Sequence, residues 1–108
     1  MYTTITIGDK EYKLRLNAKA CVDLEKKLGT NPLNVLMDLS NENKLPSMGT
    51  LITILHASLQ AYEHGITEAK TYELYDKFVE EGNTLIDLIP VIIEIFKVSG
   101  FFKTEEKN

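Results

Sequence analysis

The side chains that could hold a metal ion are few and poorly spaced for that task. His56 and His64 lie on one predicted helix with Glu63 beside them, and two histidines with a carboxylate are a possible ligand set for zinc. Two imidazoles on a helix reach the same ion when they lie one turn apart, whereas these two are more than two turns apart. No Cys or Asp cluster completes the set. The sequence therefore predicts no metal site and favours two histidines on the polar edge of a helix.

Cys21 is the single thiol of the chain, and a thiol acts as a nucleophile only when a base or a positive charge activates it. Its spacing from neighbouring apolar residues is that of the buried face of a helix, and no partner base is visible in the sequence. The chain also has no glycine-rich phosphate loop. We therefore expect a binding protein without a cofactor and not an enzyme. The alternative is a metal-dependent or thiol enzyme built on Cys21, His56 and Glu63.

Length and composition point to one small domain over residues 1–108, since 108 residues with 44% apolar side chains support a single modest core. One cysteine cannot form an internal disulfide, and no basic segment followed by a long apolar run opens the chain, so we expect a cytoplasmic protein. A net charge of -4 argues against a nucleic-acid partner. All of the negative excess falls in residues 47–108, whereas residues 1–46 are nearly neutral. Solvated helix faces explain this uneven distribution of charge, and the same distribution would also orient a partner.

The first stretch of the chain, residues 3–16, alternates apolar and polar side chains on both sides of a Gly8-Asp9-Lys10 turn. The apolar members are Ile5, Ile7, Tyr12, Leu14 and Leu16. This period of two predicts a two-stranded antiparallel hairpin with one buried face. Two strands alone are marginally stable in water, so that face must pack on helices or on another chain.

Start and stop signals divide the remainder into about five helices. The predicted N-caps are Asn17, Asn31, Ser47 and Thr67, and Gly29 is the predicted stop of the first helix. The predicted helices span residues 18–28, 32–39, 48–64, 68–81 and 84–98, followed by a charged tail at 101–108. The fold class is therefore mainly α, or α+β by virtue of the small hairpin, with the hairpin leading into a compact helical bundle.

Helical spacing also predicts which side chains face the core. The apolar face of the first helix comprises Cys21, Val22, Leu24 and Leu28. Helix 48–64 is apolar over most of its circumference, so we expect it at the centre of the bundle. The inward face of helix 68–81 is predicted as Ala69, Tyr72, Tyr75 and Val79.

The segment 84–98 is the most apolar part of the chain, and its four polar or proline positions share one edge. It is too short and too charged to span a bilayer, which requires roughly 20 apolar residues. For so apolar a helix in so small a chain, two explanations are equally favoured. Either the helix is buried within its own domain, or it contacts a partner or a second copy. Phe101 and Phe102 follow it, either as a lid on the bundle or as an exposed binding hook. The predicted partner-binding residues are Ile89, Ile92, Ile93, Phe96, Phe101 and Phe102.

The hairpin with Gly8-Asp9-Lys10 at its turn leads into a helix that ends in a Leu-Glu-x-x-Leu-Gly sequence at Leu24-Glu25 and Leu28-Gly29. This succession resembles the start of the small tail assembly chaperones of tailed bacteriophages and of phage-like gene transfer agents. The likeness in layout covers the whole chain, and the likeness in residues covers about 3–36.

The resemblance implies a non-enzymatic protein of a phage or prophage that acts in the cytoplasm of the bacterial host. Such chaperones bind the tape measure protein, keep its helices soluble, promote polymerisation of the tail tube protein around it, and are absent from the finished virion. The alternative is a small structural tail or head-completion protein that stays in the particle. Mass spectrometry of purified virions separates the two.

Many such chaperones are made in two lengths by a programmed ribosomal frameshift. Glu106-Lys107-Asn108 permits the codons GAA AAA AAC, which contain the slippery heptamer A AAA AAC. A charged, solvated tail is the alternative interpretation of these residues, and the last codons of the gene distinguish the two.

Overall fold

A computed structural model describes residues 1–39, 41 and 44–103. Within these residues the chain forms two strands and five helices. They are β1 (Thr3–Ile7), β2 (Lys10–Leu14), α1 (Ala18–Leu28), α2 (Pro32–Leu39), α3 (Met48–Leu59), α4 (Glu68–Glu80) and α5 (Leu85–Val98). The predicted fold class is confirmed. The hypothesis about Glu106-Lys107-Asn108 concerns residues outside those described.

The hairpin forms as its alternation predicts. β1 pairs antiparallel with β2, and Ile7 lies opposite Lys10, which leaves Gly8 and Asp9 as a two-residue turn. Gly8 has a φ of 66°, the left-handed conformation that a type II′ turn requires at this position. The apolar face of the hairpin is buried, with β1 against α5 and α4 and β2 against α3. Helices therefore cover the face that two strands could not bury alone.

Side-chain caps set the starts of the helices where the sequence predicts them. Asn17, Ser47 and Thr67 each accept a hydrogen bond from the backbone N–H three residues further on, and Asn31 accepts one from Leu33 N. Gly29 ends α1 with a φ of 70°. α5 has a cap that the sequence analysis missed, a reciprocal capping box between Thr84 and Asp87.

The predicted end of the third helix is wrong, because α3 stops at Leu59 and not near residue 64. The Ser58 carbonyl accepts a hydrogen bond from Arg15 N at 3.0 Å, a donor that lies between β2 and α1. The next turn is then held by side chains, since His56 Nε2 and Gln60 Nε2 both lie 2.9 Å from the Ile66 carbonyl oxygen. The Ser58 carbonyl thus has a tertiary partner in place of a further helical bond, while the Leu59 carbonyl still accepts from Tyr62 N and Glu63 N in a final turn.

The predicted inward face of α4 is mostly wrong. The buried residues are Thr71, Leu74, Tyr75 and Phe78, so only Tyr75 lies where the sequence pattern placed it. The core tolerates Thr71 beside Leu74 and Phe78 because its hydroxyl donates to the Thr67 carbonyl at 3.0 Å, which satisfies the buried polar group. Tyr72 and Val79 are 49% and 42% exposed, and Ala69 is exposed as well.

The apolar face of α1 is also narrower than predicted. Leu24 is fully buried, and Cys21 and Leu28 are partly buried against the core. Val22 is 50% exposed. Successive residues of a helix point in different directions, so Val22, which follows Cys21, is turned away from the side of α1 that faces α3.

α3 lies at the centre of the bundle as predicted, with Leu51, Ile52, Ile54, Leu55, Ser58 and Leu59 buried. α5 packs against α3, β1 and α2 and buries Leu88, Ile92, Ile95 and Phe96. Its end is fastened to the hairpin because Leu16 N donates to Ser99 Oγ at 2.8 Å. Among the described residues, none of the helices combines the length and the apolar character needed to cross a membrane.

Candidate partner-binding surfaces

The six predicted partner-binding residues fall into two groups in the structure. Ile92 and Phe96 have no exposed surface, so their place in the prediction is wrong: they form the core. Ile89, Ile93 and Phe101 are partly buried, and Phe102 is 36% exposed. Residues in the middle of α5 are buried because α3, β1 and α2 enclose its apolar side and leave only its margins accessible.

Phe101 is part of the bundle and covers its end. Its ring meets the Phe96 ring edge-on, with centroids 4.9 Å apart, and its backbone N–H donates to the Phe96 carbonyl at 3.0 Å. Of the two interpretations that the sequence left open for the aromatic pair, the lid describes Phe101. Phe102, next along the chain, remains accessible.

A small cleft opens beside this lid, between the middle of α1 and the start of α2. We call it the Phe101 cleft; it has a volume of about 140 Å³ and is lined by Cys21, Val22, Glu25, Asn31, Pro32 and Phe101. Its lining is mainly apolar, and half-exposed Val22 stands on its α1 side. An apolar side chain of a partner would lose water on entering it, which favours binding.

A larger groove runs along the opposite flank of α1. We call it the lysine-rimmed groove; it has a volume of about 580 Å³, and its lining comprises Asn17, Lys19, Ala20, Asp23, Leu24, Lys26, Lys27, His56, Ala57 and Gln60. Ala20, Leu24 and Ala57 make its floor apolar where α1 meets α3. No local sequence pattern predicts this groove, because its walls come from two helices whose contact is set by the tertiary fold.

The rim of the groove carries a positive charge in an acidic protein. Lys19 Nζ pairs with Asp23 Oδ2 at 3.2 Å, whereas Lys26 and Lys27 form no ion pair with any of the described residues. Lysine stems also cover apolar surface while their ammonium groups stay in water. The groove is therefore apolar at its base and cationic at its edge.

The outer face of the hairpin carries an aromatic cluster that packs on the end of α3. The Tyr2 and Tyr62 rings meet edge-on with centroids 5.7 Å apart, and Lys13 Nζ lies 4.8 Å from the Tyr2 centroid. Lys10 Nζ pairs with Glu63 Oε2 at 3.1 Å beside it. These contacts hold the hairpin against Tyr62 and Glu63, and Glu63 is one of the candidate metal ligands.

The residues that could do chemistry are engaged elsewhere or lie apart. Burial raises the pKa of the Cys21 thiol; nearby Arg15 lowers it, and Glu25 raises it further. His56 must donate its Nε2 proton, because its partner, the Ile66 carbonyl, can only accept. His64 is exposed. Among the described residues, no three or more His, Cys, Asp or Glu side chains are grouped as ligands for a metal ion.

Hairpin, bundle and surface grooves together define a small, mainly helical domain with apolar depressions at its surface. The chain belongs to a family of unknown function, DUF6096, whose family model matches residues 1–108. No curated protein and no solved structure matches it.

Proposed function

We propose that this protein is a non-catalytic tail assembly chaperone of a phage or prophage, which binds the tape measure protein and promotes polymerisation of the tail tube protein. The proposal rests on the resemblance of residues 3–36 to such chaperones and on the apolar surface at the Phe101 cleft. It places the protein in the cytoplasm of the bacterial host and outside the finished virion.

The observation that carries the proposal is the apolar character of that surface. Val22 is 50% exposed at one side of the cleft, Phe101 lies at the other, and exposed Phe102 follows it in the chain. A client helix presents apolar side chains at helical spacing; the cleft has room for about one of them, and exposed Val22 and Phe102 offer apolar contacts to its neighbours. The client helix stays soluble because its apolar side is then covered.

A non-enzymatic role agrees with the state of the reactive side chains. A thiol whose pKa is raised by burial is a poor nucleophile at neutral pH, since the thiolate is the reactive form. His56 is committed to a carbonyl at the end of α3. Both residues then contribute to the fold.

Capture of a client segment tests the proposal. Helical segments of the tape measure protein encoded in the same gene cluster are co-expressed with the tagged full chain and co-purified. Val22→Asp with Phe102→Asp should reduce capture about tenfold or more, because each change puts a charge on the apolar contact surface. Phe101 is left intact because its ring belongs to the fold.

The matched control is Ile86→Asp with Leu45→Asp, which charges two other exposed apolar side chains. Ile86 lies about 18 Å along α5 from Val98, away from the cleft. Capture that both double variants retain equally would contradict the binding surface. Failure of the unaltered chain to capture any segment, or its presence in purified virions by mass spectrometry, would contradict the chaperone role and favour the structural tail protein.

A further inference from the structure

The Phe101 cleft has room for one apolar side chain of a partner. Its volume is about 140 Å³. A cavity of about 150 Å³ in a protein interior holds a benzene ring, so a leucine, methionine or phenylalanine side chain is of the right size. A helix that docks here therefore inserts a single apolar anchor, and the side chains one turn away from that anchor lie on the rim of the cleft.

The rim carries one carboxylate, that of Glu25. Glu25 is exposed, and its side chain forms no ion pair or hydrogen bond with any of the described residues. Beyond the effect of burial, which raises the pKa of the Cys21 thiol, nearby Arg15 lowers it and Glu25 raises it. Both charges therefore face this side of α1, but Arg15 Nη1 donates to the Met1 carbonyl at 3.2 Å, so the Glu25 carboxylate is left without a cation.

The place of Glu25 within α1 gives its charge no stabilising role in the helix. It lies in the last turn, where the helix dipole favours cations, and Lys26 and Lys27 in the same turn suit that position. The residues three and four positions from Glu25 carry no charge, so it has no partner within the helix. An exposed charge that its own helix does not require is expected where a protein meets a ligand or a partner.

The spacing along α1 relates this carboxylate to the cleft. Cys21 and Glu25 share one side of the helix and lie about 6 Å apart along its axis, which is about one turn. In a client helix laid along α1, the residues three or four positions from the anchor are also about 5–6 Å away on the same side. With the anchor beside Cys21 and Phe101, one of these residues lies beside Glu25.

We propose that the Phe101 cleft selects client helices in which an apolar anchor and a lysine or arginine are three or four positions apart. The anchor enters the cleft, and the cation pairs with Glu25. Complementary charge at the rim of an interface sets the register and the choice of partner more than the affinity. The pairing rests on the proposed function, since it names the kind of client segment that a chaperone binds at this site.

Binding of overlapping, fluorescently labelled helical peptides of the tape measure protein from the same gene cluster to the purified full chain tests the pairing. The peptides that bind should contain the anchor with a basic residue one turn away. Glu25→Gln should weaken their binding about threefold, and Glu25→Lys about fivefold to tenfold. Added salt should weaken binding to the unaltered chain more than binding to Glu25→Gln, because only the former has a charge pair to screen.

Reversal of the charge on the peptide gives the decisive measurement. Replacing the basic residue of the best-bound peptide with glutamate should weaken its binding to the unaltered chain and restore most of its binding to Glu25→Lys. A change in the fold of the variant could not produce such a restoration, so it reports direct contact. The melting temperature of Glu25→Lys should be no lower than that of the unaltered chain, since a lysine suits the last turn of α1.

The matched control is Glu81→Lys, which makes the same change of charge at an exposed position. Glu81 precedes the start of α5, whereas Phe101 follows its end, and the helix is about 20 Å long. This variant should bind the peptides like the unaltered chain.

An equal loss of binding in Glu25→Lys and Glu81→Lys would mean that net charge alone acts. Failure of the charge-reversed peptide to bind Glu25→Lys would remove the contact with Glu25. Either result overturns the proposed pairing, while binding of the original peptides still supports the chaperone role. If no peptide binds the unaltered chain, the pairing and the proposed function both fail.

Discussion

α4 and α5 distribute their apolar side chains in opposite ways. α5 is apolar around most of its circumference, yet α3, α2 and β1 enclose it. Its buried residues have no exposed surface; they are Leu88, Ile92, Ile95 and Phe96. α4 is rich in charge, and its main neighbours are α3 and β1, so Tyr72 and Val79 stay in contact with water.

The difference shows what decides where a small domain offers a binding surface. Apolar content decides whether a helix needs to be covered, and the number of surrounding elements decides whether its own fold covers it. By this criterion the apolar surfaces left uncovered are Tyr72 and Val79 on α4, the floor of the lysine-rimmed groove and the margin of α5 at the Phe101 cleft. The centre of α5 is the most apolar of these surfaces, and the rest of the fold already covers it.

Phe96→Ala should have the largest effect on this contrast. Phe96 is fully buried and its ring contacts Phe101, so truncation removes apolar contacts, leaves a cavity and takes away the seat of the lid. We expect the free energy of unfolding to fall by about 3–5 kcal/mol, measured by urea denaturation. Such a loss is a large fraction of the stability of a small domain.

Ile92→Val provides a graded control, with an expected loss of about 1 kcal/mol at a position that is equally buried. If Phe96→Ala left the stability unchanged and weakened only the capture of a client, α5 would be a binding face and the contrast with α4 would disappear.

Ser99→Ala tests the attachment of α5 to the hairpin and should have an intermediate effect. Ser99 Oγ accepts the Leu16 N–H at 2.8 Å in a region where Leu16 is almost fully buried. Without the hydroxyl the buried N–H has lost its acceptor, which should cost about 1–3 kcal/mol in unfolding free energy. Hydrogen exchange of the Leu16 amide gives a second measure, because its protection should decrease with the lost bond.

The control for this change is Ser47→Gly at the exposed start of α3. Replacing this N-cap with glycine should lower the unfolding free energy by only about 0.3 kcal/mol. An equal loss at the two positions would mean that Leu16 finds another acceptor, and that α5 is held to the hairpin by its apolar contacts alone.

Local signals predict the hairpin and most helix starts, because a turn glycine or a capping side chain acts within a few residues. They fail where a distant group intervenes. The end of α3 depends on Arg15, whose backbone N–H bonds to Ser58 although the sequence places the two residues far apart. The predicted site on α5 fails at Ile92 and Phe96 for the same reason, since neighbours that enclose a helix are set by the tertiary fold.

Tyr72→Gln with Val79→Gln should have the smallest effect on the isolated molecule, and this makes it the sharpest test of the contrast. Both side chains are exposed, so at low protein concentration the unfolding free energy should change by less than about 0.5 kcal/mol. Urea denaturation measures this change, as it does for Phe96→Ala.

A large loss of unfolding free energy would mean that Tyr72 and Val79 stabilise their own fold in the way that the buried residues of α5 do. An unchanged free energy identifies Tyr72 and Val79 as apolar residues that the fold leaves uncovered, in contrast to Ile92 and Phe96.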